Sequence, residues 1–154
     1  MIKKITILYI ALLSVFLGSC VEDADFSSSP TLRLEFSCDT VSFDTLFSEV
    51  MSPTAKFLVR NRNDKSLRIS NVQLAGGGAS PFSVLVDGQY GTAMSNLDIR
   101  ARDSLYVLAS VTVDRNGGDV PFMVKDSLLF TLESGVQQSV LLLAYGRDVT
   151  FMRG

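Results

Sequence analysis

The chain predicts an all-β domain, an antiparallel sandwich of about seven or eight short strands, and three observations carry that expectation. Apolar and polar residues alternate with a period of two, most clearly at Leu105, Val107, Ala109, Val111 and Val113, the spacing of a strand with one buried face. Turn residues such as Asn61-Arg62-Asn63-Asp64-Lys65, Asp87-Gly88 and Ser134-Gly135 separate the alternating segments at short intervals. No segment sustains the 3.6-residue period of an amphipathic helix.

The first element is an address and not part of the fold. Lys3 and Lys4 precede an apolar run from Ile5 to Leu17, 13 residues long, which suits a signal core of about 7–15 residues. A bilayer-spanning helix needs roughly 20. Leu17-Gly18-Ser19-Cys20 follows; its small residues let extended backbone lie in a peptidase cleft, so cleavage is expected after Ser19. This four-residue pattern resembles the bacterial lipoprotein signal, which implies a diacylated and then N-acylated Cys20. One acyl chain gives a partition constant on the order of 10⁴ M⁻¹, and two or more make attachment stable. Membrane partnership through this lipid is therefore expected. Glu22, Asp23 and Asp25 come next, an acidic cluster that resembles the surface-export signal of Bacteroidota-type lipoproteins. By charge alone the cluster is a solvated tether. The expected division is signal 1–19, lipidated acidic tether 20–30 and sandwich 31–154.

Within the sandwich Leu32, Leu34 and Phe36 read as one strand, and Val41 and Phe43 continue it after a kink at Cys38-Asp39, where an edge strand can switch sheets. Phe57 and Val59 point inward on the next strand, and Leu67 and Ile69 begin its return. Val72 and Leu74 fall out of parity with them, the mark of a bulge. Gly76-Gly77-Gly78 to Pro81 is a loop; neither the helix nor the lysine of a phosphate-binding loop follows it. Phe82, Val84 and Val86 give a short strand, Leu105 to Val113 the clearest one, and Leu128, Phe130 and Leu132 another. The last, Val140 to Tyr145, is apolar on both faces and is expected in the middle of a sheet.

Composition narrows the chemistry. Removing residues 1–19 from the 154 leaves 135, enough for one domain with a real core. The precursor's charge of −2 becomes −4 once Lys3 and Lys4 are lost, and the other basic residues are scattered along the sequence, so no nucleic-acid partner is expected. The chain has no histidine, which excludes Ser-His-Asp and Cys-His catalysis and His-ligated metals. With Cys20 lipidated, Cys38 has no partner and reads as a small buried hydrophobe. No cofactor is expected.

Phe57-Leu58-Val59-Arg60-Asn61, then Leu67-Arg68-Ile69-Ser70-Asn71-Val72 and a Gly-rich loop, resemble abnormal-spindle/hydin (ASH) domains, also called choice-of-anchor D modules. Ser42-Phe43-Asp44-Thr45-Leu46-Phe47, Leu74-Ala75-Gly76-Gly77, Asp126-Ser127 and Ala144-Tyr145-Gly146-Arg147-Asp148 resemble one group of Bacteroidota lipoproteins. In that group the domain sits at the N-terminus, often before a right-handed parallel β-helix. The resemblance covers nearly all of residues 20–154. It implies an immunoglobulin-like fold and an outer-membrane or cell-surface setting, the periplasm-facing leaflet being the alternative. It carries no catalytic residues.

Candidate sites are few. Asp114, Asn116 and Asp119 put three oxygen-bearing side chains in six residues, a weak calcium candidate, because Lys125 stands where an EF-hand needs its bidentate glutamate. Asp39 and Asp44 form a glycosidase pair only if their carboxyls stand about 5–10 Å apart across a cleft. Tyr90, Tyr106 and Tyr145 are the candidate sugar-stacking surface, with Tyr106 on the outward face of its strand. The expected function is a non-enzymatic spacer or binding module for a protein or glycan. The alternatives are an accessory part of a glycan-acting β-helix enzyme system and an envelope assembly factor working by strand addition.

Overall fold

The computed structural model describes residues 25–47, 51–113 and 122–147. Ten strands follow in order: β1 Glu35–Phe36, β2 Thr40–Phe47, β3 Ala55–Arg60, β4 Leu67–Leu74, β5 Phe82–Val86, β6 Gln89–Gly91, β7 Ala93–Ile99, β8 Ser104–Val111, β9 Phe122–Leu132 and β10 Gln137–Arg147. They form two five-stranded sheets, β1-β3-β8-β5-β6 and β2-β10-β9-β4-β7. Pairing is antiparallel throughout except between β2 and β10, which run parallel. The Gly-rich loop after β4 contains one 3₁₀ turn, Gly77–Ala79.

The kink at Cys38-Asp39 is a change of sheet: β1 pairs with β3 in one layer and β2 with β10 in the other. The bulge in β4 is also present. Its register against β9 slips between Ile69 and Asn71, so Ile69 and Val72, three apart, both point inward and are fully buried. Across from it, Asn96 of β7 adopts a left-handed conformation, φ 57°. That turns Met94 and Leu97 to the core together. Strand β2 has a slip of its own at Asp44, which brings Phe43 and Leu46 both inside.

Inward residues from both sheets fill the interior. Phe36 meets Phe130 with ring centroids 5.0 Å apart, and Phe43 meets Phe82 at 6.0 Å. Each pair joins one sheet to the other, and tilted rings at these distances attract beyond their buried area.

Two expectations need correction. The sequence indicated no strand between Gly88 and Leu105, yet β6 and β7 lie there. Strand β10 is flanked on both sides, as expected, but not because both faces are covered. Its outward residues Leu141 and Tyr145 are 37% and 42% exposed.

All four sheet edges are blunted. β1 and β6 have two and three residues; β2 carries the bulge and Asp44, and β7 carries the left-handed Asn96 and Asp98. Short edges, bulges and edge charges all discourage pairing with a further strand.

Candidate functional site

The sandwich has two poles. Asp25–Ser27 docks at one of them: Ser66 donates its N–H to the Asp25 carbonyl at 2.9 Å, and Ser27 donates to the Ser66 carbonyl at 3.0 Å. Asp25 also forms an ion pair with Lys65, and Phe26 lies under the Arg68 guanidinium, 4.6 Å from its ring centroid. Chain expected to belong to the tether is thus already paired to the domain at Asp25. Ser19, Cys20, Glu22 and Asp23 lie outside the described residues, as does the calcium candidate Asp114, Asn116 and Asp119.

The tyrosines do not converge. Tyr106 on β8 and Tyr90 on β6 share the outer face of one sheet, whereas Tyr145 on β10 is on the outer face of the other. Tyr106 is 53% exposed, with the Lys56 ammonium 4.4 Å from its ring centroid, so a cation already lies over the ring. A shallow depression of about 220 Å³ lies between Met51, Leu85, Tyr90 and Leu108 on this face. On the opposite face Phe47, Met123, Leu141 and Tyr145 are exposed. Asp39 lies just before β2 and Asp44 at its bulge, both exposed along a sheet edge. Cys38 is half-buried against the core. Among the described residues no group of three acidic or cysteine side chains could hold a metal ion.

Folding gathers what the sequence scatters. Arg33, Arg60, Arg62, Lys65, Arg68, Arg100 and Arg102 all come to the pole where Asp25 docks, because that pole is built from the β3–β4 and β7–β8 loops and the lead into β1. Asn61 organises it. Its side chain is 1% exposed, and Nδ2 donates to the carbonyls of Lys65 at 2.8 Å, Ile99 at 3.1 Å and Arg100 at 3.1 Å. Oδ1 accepts from Asn63 N at 3.0 Å and Asn63 Nδ2 at 2.8 Å. One buried amide therefore ties both loops together.

Beside it lies a cleft of about 360 Å³ lined by Arg60, Asn61, Arg62, Arg102, Asp103 and Ser104. Each arginine is held by a carboxylate. Arg62 donates through Nε and Nη2 to Glu35 at 2.9 and 3.0 Å, Arg60 through Nη1 to the same carboxylate at 3.2 Å, and Arg102 through Nε to Asp64 at 2.9 Å. The Arg62 hydrogen bonds, joined by the one from Arg60, hold the Glu35 carboxyl below the usual range, and Glu35 raises Arg62 in return. No motif marks this cleft in the sequence; the only local signal is two arginines flanking one asparagine.

No family model and no curated protein matches the chain. Solved structures do. The chain is similar to a PapD-like ASH domain of human CEP192, at 10% identity over 82% of this chain and 92% of that one, TM-score 0.47. It is similar to a protein of unknown function from Porphyromonas gingivalis W83, at 21% identity over 75% of this chain, TM-score 0.45, and spans about half of that protein, 47%. It is also similar to the E. coli chaperone DraB, at 13% identity over 76% of this chain and 55% of that one, TM-score 0.45. Its two packed sheets make the domain a mostly antiparallel β-sandwich, the fold class that the sequence predicts.

Proposed function

We propose that this protein is a lipid-anchored, non-enzymatic spacer and binding module of the bacterial outer-membrane surface, held by Cys20. The observation that supports it most is the placement of the two poles. The chain comes onto the sandwich at Asp25, beside Ser66, and β10 runs from Gln137 at that pole to Arg147 at the other. At about 3.3 Å per residue this strand covers roughly 33 Å. Only residues 21–24 separate Cys20 from Asp25, a reach of under about 18 Å. A lipid on Cys20 thus keeps one pole close to the headgroups and holds the other well clear of them.

The binding surface in this reading is a sheet face, since the edges are blunted. Phe47, Met123 and Tyr145 lie toward the far pole, where a protein or glycan ligand approaches without meeting the membrane. The test is palmitate labelling of the wild type and Cys20→Ser, together with protease shaving of intact cells. The expected result is label in the wild type only, and loss of the wild-type domain on shaving. A mature protein free in the medium and carrying no fatty acid would overturn the proposal.

A further inference from the structure

We propose that the cleft between Arg60, Arg62 and Arg102 is a binding site for a phosphate group. The three guanidiniums line one cleft, Arg60 from the end of β3, Arg62 from the β3–β4 loop and Arg102 from the β7–β8 loop. Arg102 is set at a left-handed backbone position, φ 62°, with its N–H donated to the Asn63 carbonyl at 3.2 Å. Glu35 and Asp64 grip the arginines through Nε and one terminal nitrogen, and among the described residues Nη1 of Arg62 and Nη1 of Arg102 make no hydrogen bond. Each guanidinium thus arrives with its orientation fixed and donors to spare, since it carries five N–H groups.

A planar carboxylate is already served by two of these arginines at Glu35. A tetrahedral oxyanion offers acceptors in more directions and suits three forks that line one cleft. The Asp103 carboxylate also lines the cleft, but it accepts the Ser104 N–H at 2.7 Å. Glu35, Asp64 and Asp103 balance the three arginines, so attraction is short-ranged and depends on fit rather than on a broad field. The cleft volume of about 360 Å³ admits a phosphate with the group that bears it.

The phosphate has two sources, a soluble phosphorylated molecule or a lipid headgroup. The second source rests on the lipid-anchor reading; the first does not. The cleft lies on the pole where Asp25 docks, within reach of a headgroup layer if Cys20 is acylated.

The test follows arginine Nε–Hε resonances by NMR. The mature full-length chain is titrated in neutral detergent with inorganic phosphate, then compared in phosphatidylcholine nanodiscs with and without phosphatidic acid. Saturable shifts at Arg60, Arg62 and Arg102 are expected. Read at Arg60, which every variant keeps, the binding weakens about tenfold or more in Arg62→Gln/Arg102→Gln, less in Arg62→Lys, and not at all in Lys125→Gln on β9. Shifts with inorganic phosphate alone assign a soluble ligand, and shifts with phosphatidic acid as well assign the headgroup. Absence of saturable shifts in both arms, or equal shifts at Arg60 in the double variant with its fold verified by circular dichroism, would overturn the site, whatever the palmitate label shows.

Discussion

Asn61→Ala removes the amide that joins the β3–β4 and β7–β8 loops, and its cost can be worked from the contacts. Three carbonyls lose a donor, those of Lys65, Ile99 and Arg100, and two Asn63 groups lose an acceptor. Hydrogen bonds are worth about 0.5–1.5 kcal/mol each, and a buried group left unpaired costs about 1–3 kcal/mol. Water reaches the exposed members of the set, but the bond to Ile99 is fully buried. The expected loss is about 3 kcal/mol. For a domain of about 120 residues, at about 4 °C per kcal/mol, that is a fall of roughly 12 °C in Tm. Urea denaturation followed by far-UV circular dichroism measures it. Asn61→Asp keeps the shape and the acceptor while removing the donors, and is expected to be at least as damaging at neutral pH. A loss under about 1 kcal/mol for both variants would refute the assignment of Asn61 as the organiser of this pole.

Two further predictions concern other parts of the fold. Gly146 stands directly across from Phe122, and a Cβ there would come within 2.5 Å of the ring; Gly146→Ala is expected to cost about 1–3 kcal/mol, and Phe122→Leu in the same chain to recover part of it. Unchanged denaturation midpoints would show that the ring swings aside freely. The lowered carboxyl of Glu35 predicts a pH effect of definite sign. A depressed folded pKa gives stability above the ordinary value of 4.5 that is lost as pH falls through the folded value. Wild-type urea midpoints should therefore drop more steeply on acidification than those of Glu35→Gln, and parallel curves would count against the triad with Arg60 and Arg62.

The parts of the fold legible in sequence are those where period two survives or fails in a readable way. Ile69 to Val72 showed the bulge because apolar residues stand on both sides of the slip. Cys38-Asp39 showed the change of sheet for the same reason. Strand β7 escaped notice because Asn96, at φ 57°, spaces Met94 and Leu97 three apart within a polar segment, leaving too few apolar residues to mark a phase. Outward apolar residues on β10 gave the right neighbours for the wrong cause: Leu141 and Tyr145 face solvent. The arginine cleft was not legible at all. Arg60 and Arg62 are about forty positions from Arg102, and only the sheet pairings that bring Arg60 to Ser104 put them side by side.

Among the described residues strand β2 belongs to its sheet solely through β10, although nearly ninety residues intervene. No earlier part of the polypeptide can supply that neighbour. During synthesis Thr40–Phe47 must wait, unpaired, until Gln137–Arg147 has emerged and slid between it and β9. Assembly thus has a built-in last step, and a long-range closure of this kind is slow by nature. Polypeptide still held by the ribosome is kept open until β10 is free, whatever stability the finished domain goes on to have.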